Sequence, residues 1–313
     1  MPVYRMSPHC VNAVWGGDKL IKEYNIGYDG EKLAEAWVLA CHEEGISSLA
    51  SGEYTGMKLN EYVDMRGRWV LGTNYEHYDK FPVLVKLIDA RSPLSIQVHP
   101  GNTFALSHEG QVGKTEMWYV LDAEEDSYIY YGVKEETTKE QIREAATNGT
   151  LLDLLKKVPA KKGNVFYIPA GTLHAIGPGL LVAEVQQNSS ITYRVYDYDR
   201  TDANGKKREL HLDKAIEVVR TSPNSQEYDF GKHLVSCKFF IVDLVNGEQE
   251  DFCDERSFVS LLVLRGNGSI YYKDESGVWR ELHFKKGDSF FVPAGAGRLR
   301  YRGEDILLLR TQI

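Results

Sequence analysis

The chain has 313 residues, of which 42% are hydrophobic, and this suits one large hydrophobic core or two moderate ones. The formal net charge of −8 and the lack of a long basic run argue against nonspecific binding to nucleic acid. No apolar stretch approaches the length of a transmembrane helix, so we expect no association with a membrane.

The cysteines favour a reducing compartment. They are widely spaced and include no Cys-x-x-Cys pair, which favours mostly buried thiols that form no disulfide. The four positions are Cys10, Cys41, Cys237 and Cys253. The first residues also lack the apolar segment and cleavage site of a secretory signal. We therefore expect a cytoplasmic protein.

A strand-like run from Leu94 to Pro100 carries polar side chains on one face. Its alternation places Ser95, Gln97 and His99 together, with aliphatic residues on the other face. Polar groups that share a face need a reason if that face is interior. We therefore expect these side chains to belong to a site.

A second strand-like run, residues 114–121, follows a turn-rich loop. It places Lys114 and Glu116 on one face. Among the histidines that match no ligand pattern, only His108, in the preceding loop, is kept as a further candidate for the site. The two runs together supply imidazole, amide and carboxylate groups.

Helical periodicity occurs in two segments. Residues 137–157 read as one or two helices, with Thr137 and Glu140 matching a capping box. Residues 212–220 form a second predicted helix, because apolar residues recur there at helical spacing. Residues 221–231 are rich in Ser, Pro, Asn and Asp and form the predicted linker. The strands predicted beyond it are Phe239–Val245, Phe258–Leu264, Ser269–Lys273, Ser289–Val292, Leu299–Arg302 and Ile306–Leu309.

One motif occurs twice in the chain. Residues 163–174 read as Gly, five residues, Pro, one residue, Gly, two residues and His, and residues 287–298 repeat that spacing. Arg298 stands where the first copy has His174. A repeat of this kind indicates two copies of one fold unit. We expect only the first copy to hold a catalytic metal.

The parts of the first copy explain its geometry. Gly163 makes a turn into an aromatic strand, and Pro169 ends the strand where a ladder N–H is no longer needed. Gly171 then allows a tight bend that directs His174 towards the interior. The pattern resembles the second signature motif of the cupin family.

The cupin resemblance implies a mainly β fold with two cupin-type jelly-roll barrels and short helical inserts. We expect an N-terminal catalytic domain of residues 1–220, with its helical insert near 137–157. A metal-free C-terminal domain is expected over residues 232–313.

Four ligand-type residues should meet in the first barrel: Gln97, His99, Glu116 and His174. Two imidazoles, a carboxylate and an amide oxygen suit a borderline divalent ion such as zinc, with a position open for water or substrate. One lone histidine would be weak evidence, but four such residues on adjacent inward faces are not.

Several segments resemble the type I phosphomannose isomerases, and the length fits the short bacterial members. They are Phe81–Ala90, Ser95–Pro100, Lys114–Tyr119 and Thr192–Asp197. The resemblance extends from Trp15 to at least Leu212. It implies a metal-dependent aldose-ketose isomerase that interconverts mannose 6-phosphate and fructose 6-phosphate through an enediol.

The resemblance also implies roles for particular residues. It assigns one zinc ion per chain to Gln97, His99, Glu116 and His174. The family's catalytic arginine falls on Arg194, and its proposed proton-transfer acid falls on Glu184. Lys114, beside a metal ligand, is expected to orient substrate or transfer a proton.

The phosphate of the substrate is assigned to Lys86 and Ser95 by the same resemblance. Arg200 stands where fungal members carry a lysine, so its cationic role survives. A base role is not expected at that position, because a guanidinium does not deprotonate in proteins.

Two other classes stay open from the sequence. A noncatalytic sugar-binding cupin would keep the barrel, yet it would not need Arg194 and Glu184 beside the ligand set. Another metal-dependent cupin enzyme, such as an oxygenase, would have little use for Lys86 and Ser95 beside the metal strand. We expect a small sugar phosphate as the partner.

Overall fold

The computed structural model describes residues 1–201, 205–224 and 228–313, and it is mainly β as predicted. The first seven strands are β1 Tyr4–Ser7, β2 His9–Val11, β3 Glu35–Leu39, β4 Cys41–His42, β5 Gly45–Ile46, β6 Ser48–Leu49 and β7 Val83–Ala90. The next eight are β8 Ile96–Val98, β9 Glu116–Ala123, β10 Tyr128–Val133, β11 Leu155–Pro159, β12 Val165–Ile168, β13 His174–Ile176, β14 Leu180–Gln187 and β15 Tyr193–Tyr196. The last seven are β16 Val235–Ser236, β17 Ile241–Asn246, β18 Gln249–Cys253, β19 Val259–Lys273, β20 Trp279–Lys285, β21 Ser289–Val292 and β22 Gly297–Gln312.

The helices are short. They are α1 Lys19–Lys22, α2 Leu59–Arg66, α3 Asn102–Glu109, α4 Lys139–Asn148, α5 Leu151–Leu154 and α6 Leu212–Val218, with 3₁₀ helices at Arg68–Leu71 and Thr73–His77. None of the helices in the described ranges is long and apolar enough to span a bilayer.

The chain divides into two compact units. The first contains residues 1–11, 18–87 and 230–313, and the second contains residues 12–17 and 88–229. This division differs from the predicted domain boundaries, because N-terminal segments group with the C-terminal part of the chain. The chain leaves the second unit at residue 229 and re-enters the first at residue 230, and this boundary lies within the predicted linker.

The first unit contains a nine-stranded sheet. Its strands follow the order β16, β17, β22, β19, β21, β1 and β6, with β18 paired to β22 and β20 paired to β19. A second set places β3 between β2 and β7. Apolar residues of the long strands β19 and β22, among them Leu261 and Leu308, belong to a core cluster of this unit.

The second unit contains two sheets. One has the order β11, β10, β13, β8 and β15, and in the other β9 lies between β12 and β14. Ile96 and Val98 of β8 pack in one core cluster with Ala105 of α3, Ile142 of α4 and Ala215 of α6. Because side chains alternate along a strand, residue 97 between them faces the other side of this sheet. The two sheets are consistent with the predicted cupin fold.

The helical predictions agree with the structure in place and differ in detail. The segment 137–157 contains α4 and α5 but ends in β11, and the capping box uses Thr138 and Gln141 rather than Thr137 and Glu140. The helix predicted at 212–220 is α6. The turn-rich segment before Lys114 contains α3, which was not predicted.

After residue 231, two pairs of predicted strands each belong to one continuous strand. The runs predicted at 258–264 and 269–273 form the single strand β19, and those at 299–302 and 306–309 belong to β22. Pairing between these strands continues through their glycines, since Gly268 lies opposite Gly303, and it is irregular only between residues 263 and 267.

Both motif copies have similar backbone conformations at their glycines. Gly163 and Gly287 have φ of 88° and 92°, and each precedes a short strand. Gly171 and Gly295 have φ of 88° and 74° in the turn after that strand. This left-handed region favours glycine, so the shared spacing reflects a shared turn geometry.

We predict that Gly287→Ala destabilises the protein far more than Gly247→Ala. A Cβ at Gly287 would lie 1.9 Å from the Tyr24 carbonyl oxygen, whereas a Cβ at Gly247, with φ of 79°, would meet nothing within 4 Å. The left-handed backbone costs an alanine about 1–2 kcal/mol at either site, and the clash should add about 1–3 kcal/mol at Gly287 alone. Urea unfolding of both variants measures the difference, and equal losses would contradict the packing argument.

Candidate metal centre

Three neighbouring strands of the second unit line up His174, Gln97 and Arg194. Gln97 on β8 lies opposite His174 on β13 and opposite Arg194 on β15. Residues directly opposite each other in antiparallel strands share a face. This face is the one away from Ile96 and Val98, so it carries the polar residues of the site.

The other sheet supplies the acidic residues. Glu116 on β9 lies opposite Gln186 on β14, and Trp118 lies opposite Glu184. All of these side chains are buried, with the exposed fraction of Glu116 at 0% and that of Glu184 at 3%. Two carboxyl groups therefore share the interior face of this sheet.

Backbone carbonyls orient both imidazoles. The Nδ1 atom of His99 lies 2.8 Å from the Ile191 oxygen, and Nδ1 of His174 lies 2.8 Å from the Thr172 oxygen. A carbonyl only accepts hydrogen bonds, so each Nδ1 carries a proton, and in a neutral ring Nε2 then presents a lone pair. Burial, helped by the Lys114 charge, lowers the pKa of His99 to about 3. Its ring is therefore neutral, as a metal ligand must be.

The ligand-type atoms converge on Glu116. One carboxylate oxygen lies 3.2 Å from His174 Nε2, and the other lies 3.5 Å from His99 Nε2. Within the described chain, His99 Nε2 and both Glu116 oxygens are buried without a hydrogen bond of good geometry. Ligands about 2.1 Å from a tetrahedral ion lie about 3.4 Å from one another. The spacing and the unsatisfied atoms thus fit a small divalent ion.

Gln97 completes the set from the neighbouring strand. Its amide nitrogen lies 3.4 Å from His174 Nε2. A half turn of the amide places the oxygen there instead, and only the oxygen can bind a cation. Gln97 is thus placed to act as the fourth protein ligand.

Lys114 adds positive charge beside the carboxylate. Its ammonium lies 3.0 Å from a Glu116 oxygen, close enough for an ion pair but without the angle of a good hydrogen bond. Burial by itself raises the pKa of Glu116, but the positive charge of Lys114 acts against burial, and the pKa lies well below its usual value. Glu116 is therefore an ionised, buried carboxylate.

Glu184 is held beside the cluster through Trp118. The indole Nε1 donates a hydrogen bond of 2.8 Å to a Glu184 oxygen. The same indole contacts the His174 ring edge-on, with ring centroids 5.5 Å apart. Trp118 therefore connects the predicted acid to a predicted metal ligand.

The other predicted residues of this unit lie along β8 and β15. Arg194 is half-buried, and one of its Nη atoms donates to the Glu209 oxygen at 3.0 Å. Ser95 is buried just before β8. Arg200 follows β15 and donates to the Pro93 oxygen, two residues before Ser95.

Lys86 belongs to the first unit, so the structure describes it separately from the cluster. Its ammonium lies 3.1 Å from a Glu35 oxygen and 5.0 Å from the centre of the Trp37 ring. Trp37 also donates a hydrogen bond of 2.7 Å to Glu35. Glu35 is thus a partner of the predicted phosphate ligand.

Two further residues lie on the surface. His108 is exposed on α3, where its ring stacks on Phe104 with centroids 3.9 Å apart. Arg298 is exposed on β22 and lies 3.7 Å from a Glu250 oxygen. In the described ranges, one group of three His, Cys or acidic residues has the spacing of metal ligands, and it consists of His99, Glu116 and His174.

Asp197 and Arg208 were not among the predicted site residues. Asp197 pairs with both Arg200 and Arg208. An acid between tyrosines close to Arg194 was a weak signal for Asp197. The local sequence gave no signal for Arg208, because its partner Asp197 lies in another segment.

Comparisons with known proteins identify relatives along the whole chain. The family model for the catalytic domain of type I phosphomannose isomerase matches residues 3–129. The chain is 37% identical over 308 residues to the mannose-6-phosphate isomerase ManA of Bacillus subtilis, covering 93% of this chain and 92% of that protein. It is 44% identical over 207 residues to a mannose-6-phosphate isomerase of Streptococcus mutans, covering 66% and 64%. A crystal structure of a Bacillus subtilis mannose 6-phosphate isomerase matches with a TM-score of 0.88 and 34% identity, over 100% of both chains.

We predict that Glu116→Gln weakens binding of a divalent metal by at least about 100-fold. The substitution keeps the size of the side chain but removes the only carboxylate of the cluster and leaves the Lys114 charge uncompensated. Competition with a chromophoric chelator measures the affinity. Glu144→Gln, on the exposed side of α4, is the control and should bind metal as the unaltered chain does. An unchanged affinity in Glu116→Gln would contradict the ligand assignment.

Proposed function

The chain belongs to the type I phosphomannose isomerase family, and from that membership we propose that it interconverts mannose 6-phosphate and fructose 6-phosphate. The observation that carries the proposal is the buried convergence of His99, Glu116 and His174 on the face that also carries Arg194. The reaction moves a proton between C2 and C1 while the carbonyl group moves the opposite way. It passes through an enediol whose negative oxygen must be stabilised.

We propose that Gln97, His99, Glu116 and His174 hold one zinc ion per chain. Two imidazoles, one carboxylate and an amide oxygen suit a borderline ion. When bound, the ion supplies a Lewis acid that stabilises negative charge on a sugar oxygen. The backbone carbonyls at Ile191 and Thr172 keep both imidazoles in the ligand tautomer.

Arg194 is proposed to stabilise the developing oxyanion. It lies opposite Gln97 in the sheet, so its charge is directed to the same face as the ligand set. A guanidinium that is fixed before the reaction costs no reorganisation when the charge develops. Lys114, held at 3.0 Å from Glu116, is proposed to orient the substrate or to transfer a proton.

Glu184 is proposed as the group that carries the proton between C2 and C1. Its carboxyl is buried and is held by the Trp118 indole at 2.8 Å. A general base must be positioned within reach of the proton that it removes, and this hydrogen bond limits its orientation. The other carboxylate, Glu116, is committed to the ligand set and is unsuited to this task.

Lys86, Ser95 and Arg200 are proposed to bind the phosphate group. Lys86 is oriented by Glu35, and Arg200 donates to the backbone just before Ser95. Binding energy from the phosphate then orients the reacting end of the sugar. Arg200 acts through its charge and not as a base.

We further propose that the second motif copy belongs to a metal-free domain of residues 232–313, and that residues 1–220 form the catalytic domain. Arg298, which is exposed and stands where the first copy has a histidine, supports the assignment of the metal to the first domain alone. A cytoplasmic location is proposed from the cysteines, none of which forms a disulfide in the described structure.

The first test is a coupled assay of fructose 6-phosphate formation from mannose 6-phosphate. We expect activity that a chelator abolishes and that added zinc restores, because the acid and base groups alone leave the oxyanion without its cation. His174→Ala should give a folded protein without activity. Full activity in a metal-free preparation would contradict the metal-dependent mechanism, and no activity on this substrate would contradict the proposed function.

The second test concerns Arg194. We expect Arg194→Ala to lower kcat by about 100-fold while KM changes little, because the charge that it stabilises develops in the transition state. Steady-state kinetics separate the two constants. Lys214→Ala, which removes an exposed cation paired with Glu109 in the same unit, should leave both unchanged. A rise in KM at unchanged kcat would show that Arg194 binds the ground state instead.

A further inference from the structure

A cluster of three arginines surrounds one buried carboxylate after β15. Asp197 is only 6% exposed. Arg208 donates to both of its oxygens, with Nε at 2.8 Å and Nη2 at 2.6 Å, and Arg200 Nη2 donates to one of them at 2.5 Å. Arg194 lies at the start of the same segment, opposite Gln97.

A strained turn aims Arg200 back at Asp197. The Arg200 N–H donates to the Asp197 carbonyl at 3.1 Å, and both central residues, Tyr198 and Asp199, have positive φ of 58° and 54°. This is the pattern of a type I′ turn, which is unfavourable for a tyrosine. The side-chain contacts of Arg200 with Asp197 and with the Pro93 oxygen hold the turn. They place the guanidinium beside the segment that leads to Ser95.

The cluster carries more positive than negative charge. Asp197 can neutralise one of the guanidiniums at Arg194, Arg200 and Arg208. Among the described residues nearby, Glu209 and Asp199 are exposed, and Asp199 is paired with Lys207. Burial, followed by the Arg208 charge, lowers the pKa of Arg194. Burial alone raises the pKa of Asp197, but the hydrogen bonds from Arg208 and Arg200 outweigh it and lower the pKa. An anion would relieve the repulsion that remains.

N–H groups are available for such an anion. Arg208 uses Nε and Nη2 on Asp197, and within the described part of the chain its Nη1 donates to no protein group. Its side chain is 33% exposed. The Nε atom of Arg194 is buried and has no acceptor among the described residues.

We propose that Arg208 joins Arg200, with both held by Asp197, in the subsite that binds the phosphate group of the substrate. Asp197 is a positioning residue in this proposal, and Arg208 is a phosphate ligand that the family resemblance did not assign. Planar guanidiniums bind phosphate through paired, charge-assisted hydrogen bonds. The inference rests on the proposed function, because it takes the substrate to be a sugar phosphate.

The test compares Arg208→Gln with the unaltered chain. We expect Arg208→Gln to raise KM for mannose 6-phosphate by about 10- to 100-fold, with kcat within about threefold. Calorimetric titration with inorganic phosphate should show a loss of affinity of similar size. Arg208→Lys should recover part of both, because it restores the charge without the fork. Asp197→Asn should resemble Arg208→Gln, since it releases both guanidiniums.

Arg143→Gln is the matched control, because it breaks an exposed Arg–Asp pair of the same unit, at 2.7 Å from Asp213. It should leave KM, kcat and phosphate affinity unchanged. Unchanged KM and phosphate affinity in Arg208→Gln would overturn the inference, whatever happens to stability. A fall in kcat alone would also overturn it, because it would place Arg208 at the reacting end. Should the unaltered chain bind phosphate through Arg208 yet fail to isomerise mannose 6-phosphate, the proposed function would fall and the subsite would stand.

Discussion

The buried charge of Glu116 is the constraint on which the metal centre depends. A carboxylate with no exposed surface loses several kcal/mol of hydration free energy, which must be recovered from neighbouring positive charge. The Lys114 ammonium lies within ion-pair distance of the carboxylate. The two imidazoles use Nδ1 on backbone carbonyls, and an Nε2 lone pair donates no hydrogen bond to the carboxylate. A divalent cation satisfies the carboxylate and both lone pairs together, which is why these groups can share one interior.

Strands, rather than flexible loops, hold most of this geometry. The row of His174, Gln97 and Arg194 is set by strand register, and a shift of one residue would turn each side chain to the opposite face. The turn after β12 is tied to the ligand strand, because Gly171 N–H donates to the His99 oxygen at 2.8 Å. A site built on paired strands keeps its ligands within the narrow tolerance that metal binding and proton transfer require.

The repeated motif separates the demands of folding from those of chemistry. Both copies keep left-handed glycines and a short buried strand, because the turn needs them whatever follows. The last position differs, since His174 is fully buried while Arg298 is exposed. The shared turn therefore does not require a histidine at its last position, which agrees with the general finding that function belongs to sites carried on a fold.

The sequence by itself determined the local features: the turn glycines, the alternation that joins Gln97 to His99, and the place of α4, because each depends on residues only a few positions apart. It also indicated the ligand types that meet at Glu116. Only the tertiary structure decided that β19 and β22 run through their glycines, since pairing between the strands supplies the hydrogen bonds that the local sequence does not indicate. The pairing of Asp197 with Arg208 was likewise invisible, because the charge of an arginine in a basic run has no assigned partner until the chain folds back on itself.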